Sequence, residues 1–252
     1  MTQQPQFLLL HGWGQQGAAM VPLGQCLQPY SNFIAPDMPG FGTNPAPTEA
    51  WGSREYADYL IEQWPTLFPA SADKEVPPLI VIGHSFGGRV ALQLARHYPE
   101  KVSGVILVAG AGLQRKRSLL FRLRALFWKN LSRFAGKIDS LLKPMGCNFS
   151  CKSLLIKRIG SADYKAAGVL RPSFVKVIQE DLSTIAPDIK QPTLLLYGEN
   201  DSETPPEFGL RYQALIPTAT LYVFPRLDHY TVLGSGRHVV AEKIIQFIKT
   251  MA

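Results

Sequence analysis

The sequence has little cysteine and no long apolar run. Three cysteines, Cys26, Cys147 and Cys151, are an odd number, which argues against a disulfide framework and favours a reducing, cytoplasmic location. Cys147 and Cys151 match no usual metal-ligand spacing, so we expect no metal there. Because no run of about 18 uncharged apolar residues occurs, we predict no membrane-spanning helix. Residues 1–6 carry no basic side chain, which argues against a signal peptide.

The basic charge is concentrated in one part of the chain. The 252 residues carry a net charge of +7 and are 46% apolar, which suits one large domain with a substantial core. Residues 113–190 hold 16 basic and 5 acidic residues, a net charge of +11, whereas the remainder has a net charge of −4. This asymmetry indicates an inserted segment with a surface role of its own.

Strand and helix patterns alternate on both sides of that segment. Short continuous apolar runs predict strands buried on both faces, as in parallel sheets. We predict strands at 7–10, 32–35, 79–82, 105–108, 193–197 and 220–224. We predict helices at 17–27, 53–67, 86–97, 204–215 and 238–250, with Ser53 and Thr204 as N-caps. The alternation predicts a doubly wound α/β sheet.

The basic segment has a different period. From Ser118 to Leu142 the apolar residues are spaced by three and four positions, which is typical of helices. We therefore predict a helical cap at 113–190, inserted into a core formed by 1–112 and 191–252.

One serine is enclosed by glycines between a predicted strand and a predicted helix. The stretch "LIVIGHSFGGR" places Gly83 two residues before Ser85 and Gly87 two residues after it. Strand, Gly-x-Ser-x-Gly and helix form a nucleophile elbow, in which the tight turn exposes the serine hydroxyl above the sheet. At the start of the helix, backbone N–H groups favour a developing negative charge. We therefore predict that Ser85 is a nucleophile.

A serine hydroxyl needs a base to accept its proton, and five histidines are candidates. We place His11 after the first strand, His84 inside the elbow, and His97 and His238 in helices. His229 follows the strand that ends at Phe224 and therefore lies at the carboxyl edge of the sheet. Open α/β sheets place their ligand-binding and active sites at this edge. We predict that His229 is the general base.

The base in turn needs a carboxylate that fixes its tautomer. Asp201 follows the strand 193–197 at the same edge, 28 residues before His229. Glu199 and Glu203 are its rivals, and Asp228 is too close to His229 in sequence to orient it easily. We predict Asp201 as the partner.

Two backbone N–H groups are expected to form the oxyanion hole. One is that of Phe86, directly after the serine, and the other is that of Trp13 in the loop "HGWG" after the first strand. We also expect Trp13 and Phe86 to contact the substrate. His11 is expected to brace this loop rather than to act in catalysis.

Taken together, these stretches resemble the α/β-hydrolase superfamily. The matching residues are "LLLHGWG", "APDMPGFG", "VIGHSFGGRVA", "LLLYGENDSETP" and "LDHY". The resemblance implies a catalytic triad of Ser85, Asp201 and His229, an acyl-enzyme intermediate and no cofactor. The family usually has a hairpin before the "HG" strand. Since that strand begins here at about Phe7, we predict a shortened, mostly or wholly parallel sheet of about six strands.

The "HGWG" and "DMPGFG" stretches look most like small carboxylesterases, including those that act on pimeloyl methyl esters held by acyl carrier protein. A C–C bond hydrolase, a thioesterase or a non-catalytic ligand receptor on this scaffold remain alternatives. The basic residues between Arg115 and Arg133 are expected to be either a solvated helix face or a dock for an acidic protein partner or an anionic membrane surface. We expect no nucleic-acid partner, because no recognition motif accompanies the charge.

Overall fold

The computed structural model describes residues 6–68, 79–115 and 167–251. The chain divides into two compact units, Met1–Leu113 with Val169–Ala252, and Gln114–Gly168. The predicted helix at 118–142, Cys147, Cys151 and most of the basic residues after Arg115 lie outside the described residues. The helical cap at 113–190 therefore stays a prediction, although the helix at Arg171–Gln179 belongs to the first unit.

In the described residues, six parallel strands form one sheet, as the sequence predicts for an α/β-hydrolase fold. Their order across the sheet is β2-β1-β3-β4-β5-β6, with every neighbouring pair parallel. The strands are β1 (Phe7–Leu10), β2 (Phe33–Ile34), β3 (Leu79–His84), β4 (Val102–Val108), β5 (Thr193–Gly198) and β6 (Ala219–Phe224). Because all strands point the same way, the loops after them meet at one edge of the sheet.

Helices connect the strands and cover both faces of the sheet. They are α1 (Val21–Leu27), α2 (Ser53–Glu62), α3 (Trp64–Leu67), α4 (Phe86–His97), α5 (Arg171–Gln179), α6 (Pro206–Leu215) and α7 (Arg237–Met251). Short 3₁₀ turns lie at Gly17–Ala19, Pro99–Lys101, Gly168–Leu170, Leu182–Thr184 and Ala186–Asp188. No helix in the described ranges is long and apolar enough to cross a membrane.

Alternate side chains of the central strands pack into two separate hydrophobic cores, one on each face of the sheet. Val81 and Leu107 point into a core shared with α2, α4 and α6, whereas Ile80 and Ile106 point into a core shared with α1 and α7. This division follows from the two-residue period of a strand. Both faces of the four central strands, β1, β3, β4 and β5, are therefore buried, which explains why their sequences are continuously apolar.

The starts of two helices differ from the sequence prediction. Ser53 is the first residue of α2, and Gly52 is the N-cap, with its N–H bonded to Glu55 Oε2 at 2.9 Å. Thr204 does not cap α6, which begins at Pro206 with Pro205 as N-cap. The predicted helix 53–67 is also interrupted at Gln63, because Pro65 has no N–H to continue the hydrogen-bond ladder of α2.

Candidate active site

Ser85 lies in the turn between β3 and α4, and its backbone is strained. Its φ is 50° and its ψ is −109°, a conformation that costs a non-glycine residue free energy and that is concentrated at functional sites. Hydrogen bonds to the strand-end region hold it: Ser85 N–H donates to Val108 O at 3.1 Å, and Ser85 O accepts from Ala111 N–H at 3.1 Å. The Ser85 backbone is thus fixed at the carboxyl edge of the sheet.

The glycines on both sides of the serine are required by close backbone approach. A Cβ atom on Gly83 would overlap the carbonyl of Gly87, and one on Gly87 would overlap the carbonyl of Leu10 in β1. Any larger residue would push α4 away from β3 and β1. The structure therefore gives a steric reason for the Gly-x-Ser-x-Gly spacing.

His229 contacts Asp201 at the same edge of the sheet. His229 Nδ1 lies 2.8 Å from Asp201 Oδ2, and both residues are more than nine-tenths buried. The carboxylate is an acceptor, so Nδ1 carries the proton and Nε2 is left as the basic nitrogen. Burial tends to raise the pKa of Asp201, but the hydrogen bond and charge of His229, with hydrogen bonds from Thr204, outweigh it and hold this pKa below its usual value.

Thr204 completes this buried hydrogen-bond cluster, a role that the sequence did not reveal. Its N–H donates to Asp201 Oδ1 at 2.8 Å, and its Oγ1 donates to Ala109 O at 2.9 Å. Oγ1 also lies 3.0 Å from Asp201 Oδ2 and 3.1 Å from His229 Nδ1. The hydroxyl is committed to this cluster and is not available as a helix cap.

The rival acidic residues make hydrogen bonds in the surrounding loops. Glu199 Oε2 accepts from Arg226 N–H at 3.1 Å. Asp228 Oδ1 accepts from Thr231 N–H at 2.8 Å and from Tyr230 N–H at 3.0 Å, which closes the turn that carries His229. Glu203 contributes its backbone N–H to Asp201 Oδ1 at 2.8 Å.

His84, the residue before the serine, links the elbow to His229. The two imidazole centroids are 4.9 Å apart, and His84 Nε2 lies 3.0 Å from the carbonyl oxygen of His229. Ser85 Oγ makes no hydrogen bond to any of the described residues. Catalytic hydrogen bonds commonly shorten only when substrate binds.

Trp13 and Phe86 lie side by side next to the elbow. Their ring centroids are 5.2 Å apart, and Phe86 is the first residue of α4. Within the described part of the chain, neither backbone N–H has an acceptor. Two donors without partners beside Ser85, the predicted nucleophile, suit the stabilisation of an oxyanion.

Aromatic side chains extend from Trp13. Its ring packs against Phe41 at 5.0 Å and against Phe174 at 5.2 Å, measured between centroids. No sequence pattern ties these two phenylalanines to the site, because they are far from the elbow in the chain. The motif "DMPGFG" contains Phe41 and was the one available signal.

His11 braces the loop that contains Trp13, as the sequence suggested. It is fully buried, accepts from Met38 N–H through Nε2 at 3.0 Å and lies 2.8 Å from Gly12 O through Nδ1. Burial lowers the pKa of His11, more than its contacts with Gly12 and Asp37 raise it. No cluster of three or more metal-ligating side chains occurs among the described residues.

A comparison with known protein families decides the family of the chain. Residues 7–243 match the model of the alpha/beta hydrolase family. The chain belongs to this family. The resemblance predicted from the sequence motifs is therefore confirmed.

Curated relatives of this alpha/beta hydrolase have hydrolytic names. It is 26% identical to the pimeloyl-[acyl-carrier protein] methyl ester esterase of Chromobacterium violaceum, over 100% of this chain and 97% of the relative. It is also 26% identical to the 2-hydroxy-6-oxo-2,4-heptadienoate hydrolase of Pseudomonas putida, over 91% and 84% of the two chains.

A solved structure has a similar fold. A thermophilic esterase from Thermogutta terrifontis is 21% identical, with a TM-score of 0.69, over 98% of this chain and 90% of that chain. At this identity the likeness concerns the fold.

Proposed function

We propose that this alpha/beta hydrolase cleaves carboxylic esters through an acyl-enzyme formed on Ser85. The observation that carries the proposal is the 2.8 Å contact between His229 Nδ1 and Asp201 Oδ2, next to the strained elbow that presents Ser85. Asp201 holds the tautomer in which His229 Nε2 is a base. The curated relatives that are named esterases support this reaction class.

In the first half of the reaction, Ser85 Oγ attacks the ester carbonyl carbon and its proton moves to His229 Nε2. The carbonyl oxygen becomes an oxyanion, which accepts hydrogen bonds from the N–H groups of Trp13 and Phe86. The tetrahedral intermediate then breaks its bond to the alcohol oxygen, which takes the proton from His229. The products of this half are the free alcohol and an ester between the acyl group and Ser85.

Water completes the reaction in the second half. His229 Nε2 accepts a proton from the water while the water oxygen attacks the acyl carbon. The bond to Ser85 Oγ breaks, Oγ takes the proton back from His229, and the carboxylic acid leaves. Ser85, His229 and water account for every bond and proton in both halves, so the proposed mechanism draws on no cofactor.

The test measures hydrolysis of short-chain p-nitrophenyl esters by the wild type and by Ser85→Ala. We expect Ser85→Ala to lose activity by several orders of magnitude, and a fluorophosphonate probe to label the wild type at Ser85 alone. Ser235→Ala is the matched control, because Ser235 is an exposed serine in the turn before α7. Equal turnover by the wild type and Ser85→Ala would exclude the proposal.

For the substrate, we propose a methyl ester of an acyl chain on an acidic carrier protein. The support is the named relatives and the net charge of +11 between residues 113 and 190, which would attract an acidic carrier. Turnover of a carrier-bound pimeloyl methyl ester should fall steeply with added salt, whereas turnover of free dimethyl pimelate should not. The same salt dependence for both substrates would remove the carrier from the proposal.

A C–C bond hydrolase is the second candidate function, and the relative from Pseudomonas putida is the observation that favours it. The same three residues would serve that reaction. Turnover of a 2-hydroxy-6-oxo-dienoate, compared with that of methyl esters, separates the two. A dienoate turned over at the higher kcat/KM would replace the ester proposal.

A further inference from the structure

Gln15, in the loop between β1 and α1, binds both backbone polar groups of Gly12, the residue before the proposed oxyanion donor. Its Oε1 accepts from Gly12 N–H at 3.0 Å, and its backbone N–H donates to Gly12 O at 3.2 Å. Gln15 therefore binds the two polar groups of the residue that precedes Trp13. The side chain is half-buried, so these bonds are partly shielded from water.

The orientation of the peptide between Gly12 and Trp13 follows from the contacts of Gly12 O, while Gln15 Oε1 fixes the preceding peptide through Gly12 N–H. Gly12 O accepts from Gln15 N–H and contacts His11 Nδ1 at 2.8 Å. The peptide is trans, because the described residues contain no cis bond. In a planar trans peptide the C=O and N–H point in opposite directions. Fixing the carbonyl of Gly12 therefore directs the N–H of Trp13 away from His11 and Gln15.

The Gln15 side chain also contacts the nucleophile elbow. Its Oε1 lies 3.2 Å from His84 Nδ1, and His84 is 1% exposed. A Cβ atom on Gly12 would lie 2.8 Å from Gln15 Oε1 and 2.9 Å from His84 Nδ1. Glycine at position 12 thus leaves room for the amide of Gln15 between the loop and the elbow.

We propose that Gln15 is a positioning residue for ester hydrolysis, which holds the Trp13 N–H in the orientation that binds the oxyanion. The inference rests on the proposed function, since it assigns a task within that reaction. The acceptor oxygen of Gln15 is the essential feature, because it holds the N–H of Gly12 and so restricts rotation of the glycine backbone that leads to the Trp13 N–H.

Three variants separate the acceptor from the bulk of the side chain. Gln15→Met keeps a similar length without an acceptor, and Gln15→Glu keeps an oxygen in the same place. Gln16→Ala is the matched control, because Gln16 is the exposed neighbour in the same loop. Each variant is assayed with p-nitrophenyl esters beside the wild type and Ser85→Ala.

A misplaced oxyanion donor weakens binding of the transition state but not of the ester. We expect Gln15→Met to lower kcat by about 10- to 100-fold, somewhat less than complete removal of such a donor, with KM changed less than about twofold. Gln15→Glu should restore kcat to within about fivefold of the wild type, and Gln16→Ala should match the wild type.

A second measurement, the affinity for an inhibitor, tests the inference even if a variant folds poorly. A trifluoromethyl ketone forms an oxyanion on the catalytic serine, so its affinity for the folded fraction reports the oxyanion hole directly. It should weaken in Gln15→Met in proportion to kcat.

The inference would be overturned if Gln15→Met kept the kcat or the ketone affinity of the wild type. It would also be overturned if Gln15→Glu were as impaired as Gln15→Met. Either result would leave the proposed function standing. Ester turnover that does not depend on Ser85 would overturn the proposed function and the inference with it.

Discussion

Nδ1 of His229 lies 2.8 Å from Oδ2 of Asp201, although 28 residues separate them in the chain. The first residue follows β6 and the second follows β5, and these strands are parallel neighbours in the sheet. The pairing is therefore a consequence of the sheet topology. Its chemical effect is to fix which nitrogen of His229 is basic.

Asp201→Asn tests the contribution of this contact. The amide can present an N–H to Nδ1 and so favour the tautomer whose Nε2 is protonated and no longer basic. We expect kcat for ester hydrolysis to fall by roughly 10³- to 10⁴-fold, with a small change in melting temperature. Steady-state kinetics and thermal denaturation measure the two effects. Glu199→Gln is the control, and a comparable loss of kcat there would contradict the assignment of Asp201.

Thr204→Val tests the hydroxyl that joins Asp201, His229 and Ala109 O. Valine has the same shape, but it leaves the buried carbonyl of Ala109 without its donor. We expect a loss of about 1–3 kcal/mol in the free energy of unfolding, measured by urea denaturation, and a fall in kcat. Thr204→Ser retains the hydroxyl and should recover most of both quantities. Identical behaviour of the serine and valine variants would show that the hydroxyl has no role.

Gly87→Ala tests the close approach of α4 to β1. The new methyl group would overlap the backbone carbonyl of Leu10, which cannot move without disturbing the sheet. We expect the free energy of unfolding to fall by about 2 kcal/mol or more, with loss of ester turnover. Gly234→Ala is the control, because its methyl group would meet only ordinary contact distances. Equal stability of the two variants would disprove the steric explanation.

Buried His84 makes stability depend on pH in weak acid. Burial and the neighbouring His229 lower the pKa of His84 to about 4, from 6.5 for the free side chain. The unfolded state therefore binds more protons between these values, so the stability contribution is present above pH 6.5 and is lost as pH falls towards 4.

Between pH 7.5 and pH 5, His84 should remove about 2 kcal/mol of the free energy of unfolding, and buried His11 should add to the loss. Urea denaturation at the two pH values measures this difference, which should be smaller in His84→Gln than in the wild type. His238→Gln replaces an exposed histidine of α7 and should leave the difference unchanged. A wild-type difference that His84→Gln does not reduce would refute the explanation.

The local sequence predicted the parts of the fold that depend on short-range patterns. Continuous apolar runs predicted the six strands because the central strands are buried on both faces. The Gly-x-Ser-x-Gly spacing predicted the turn at Ser85 because only glycine fits at positions 83 and 87. Strand direction then predicted a common edge for the loops of Ser85, Asp201 and His229, since the carboxyl ends of parallel strands meet there.

Tertiary structure alone decided which atoms meet at that edge. Thr204 had the pattern of a helix cap, but its hydroxyl binds Ala109 O, after β4, and Asp201, after β5. Gln15 had no recognisable pattern, yet the packing of β1 against β3 brings its amide to His84. The contacts of Thr204 with Ala109 O and of Gln15 with His84 join segments far apart in sequence, and only the packed sheet sets these distances.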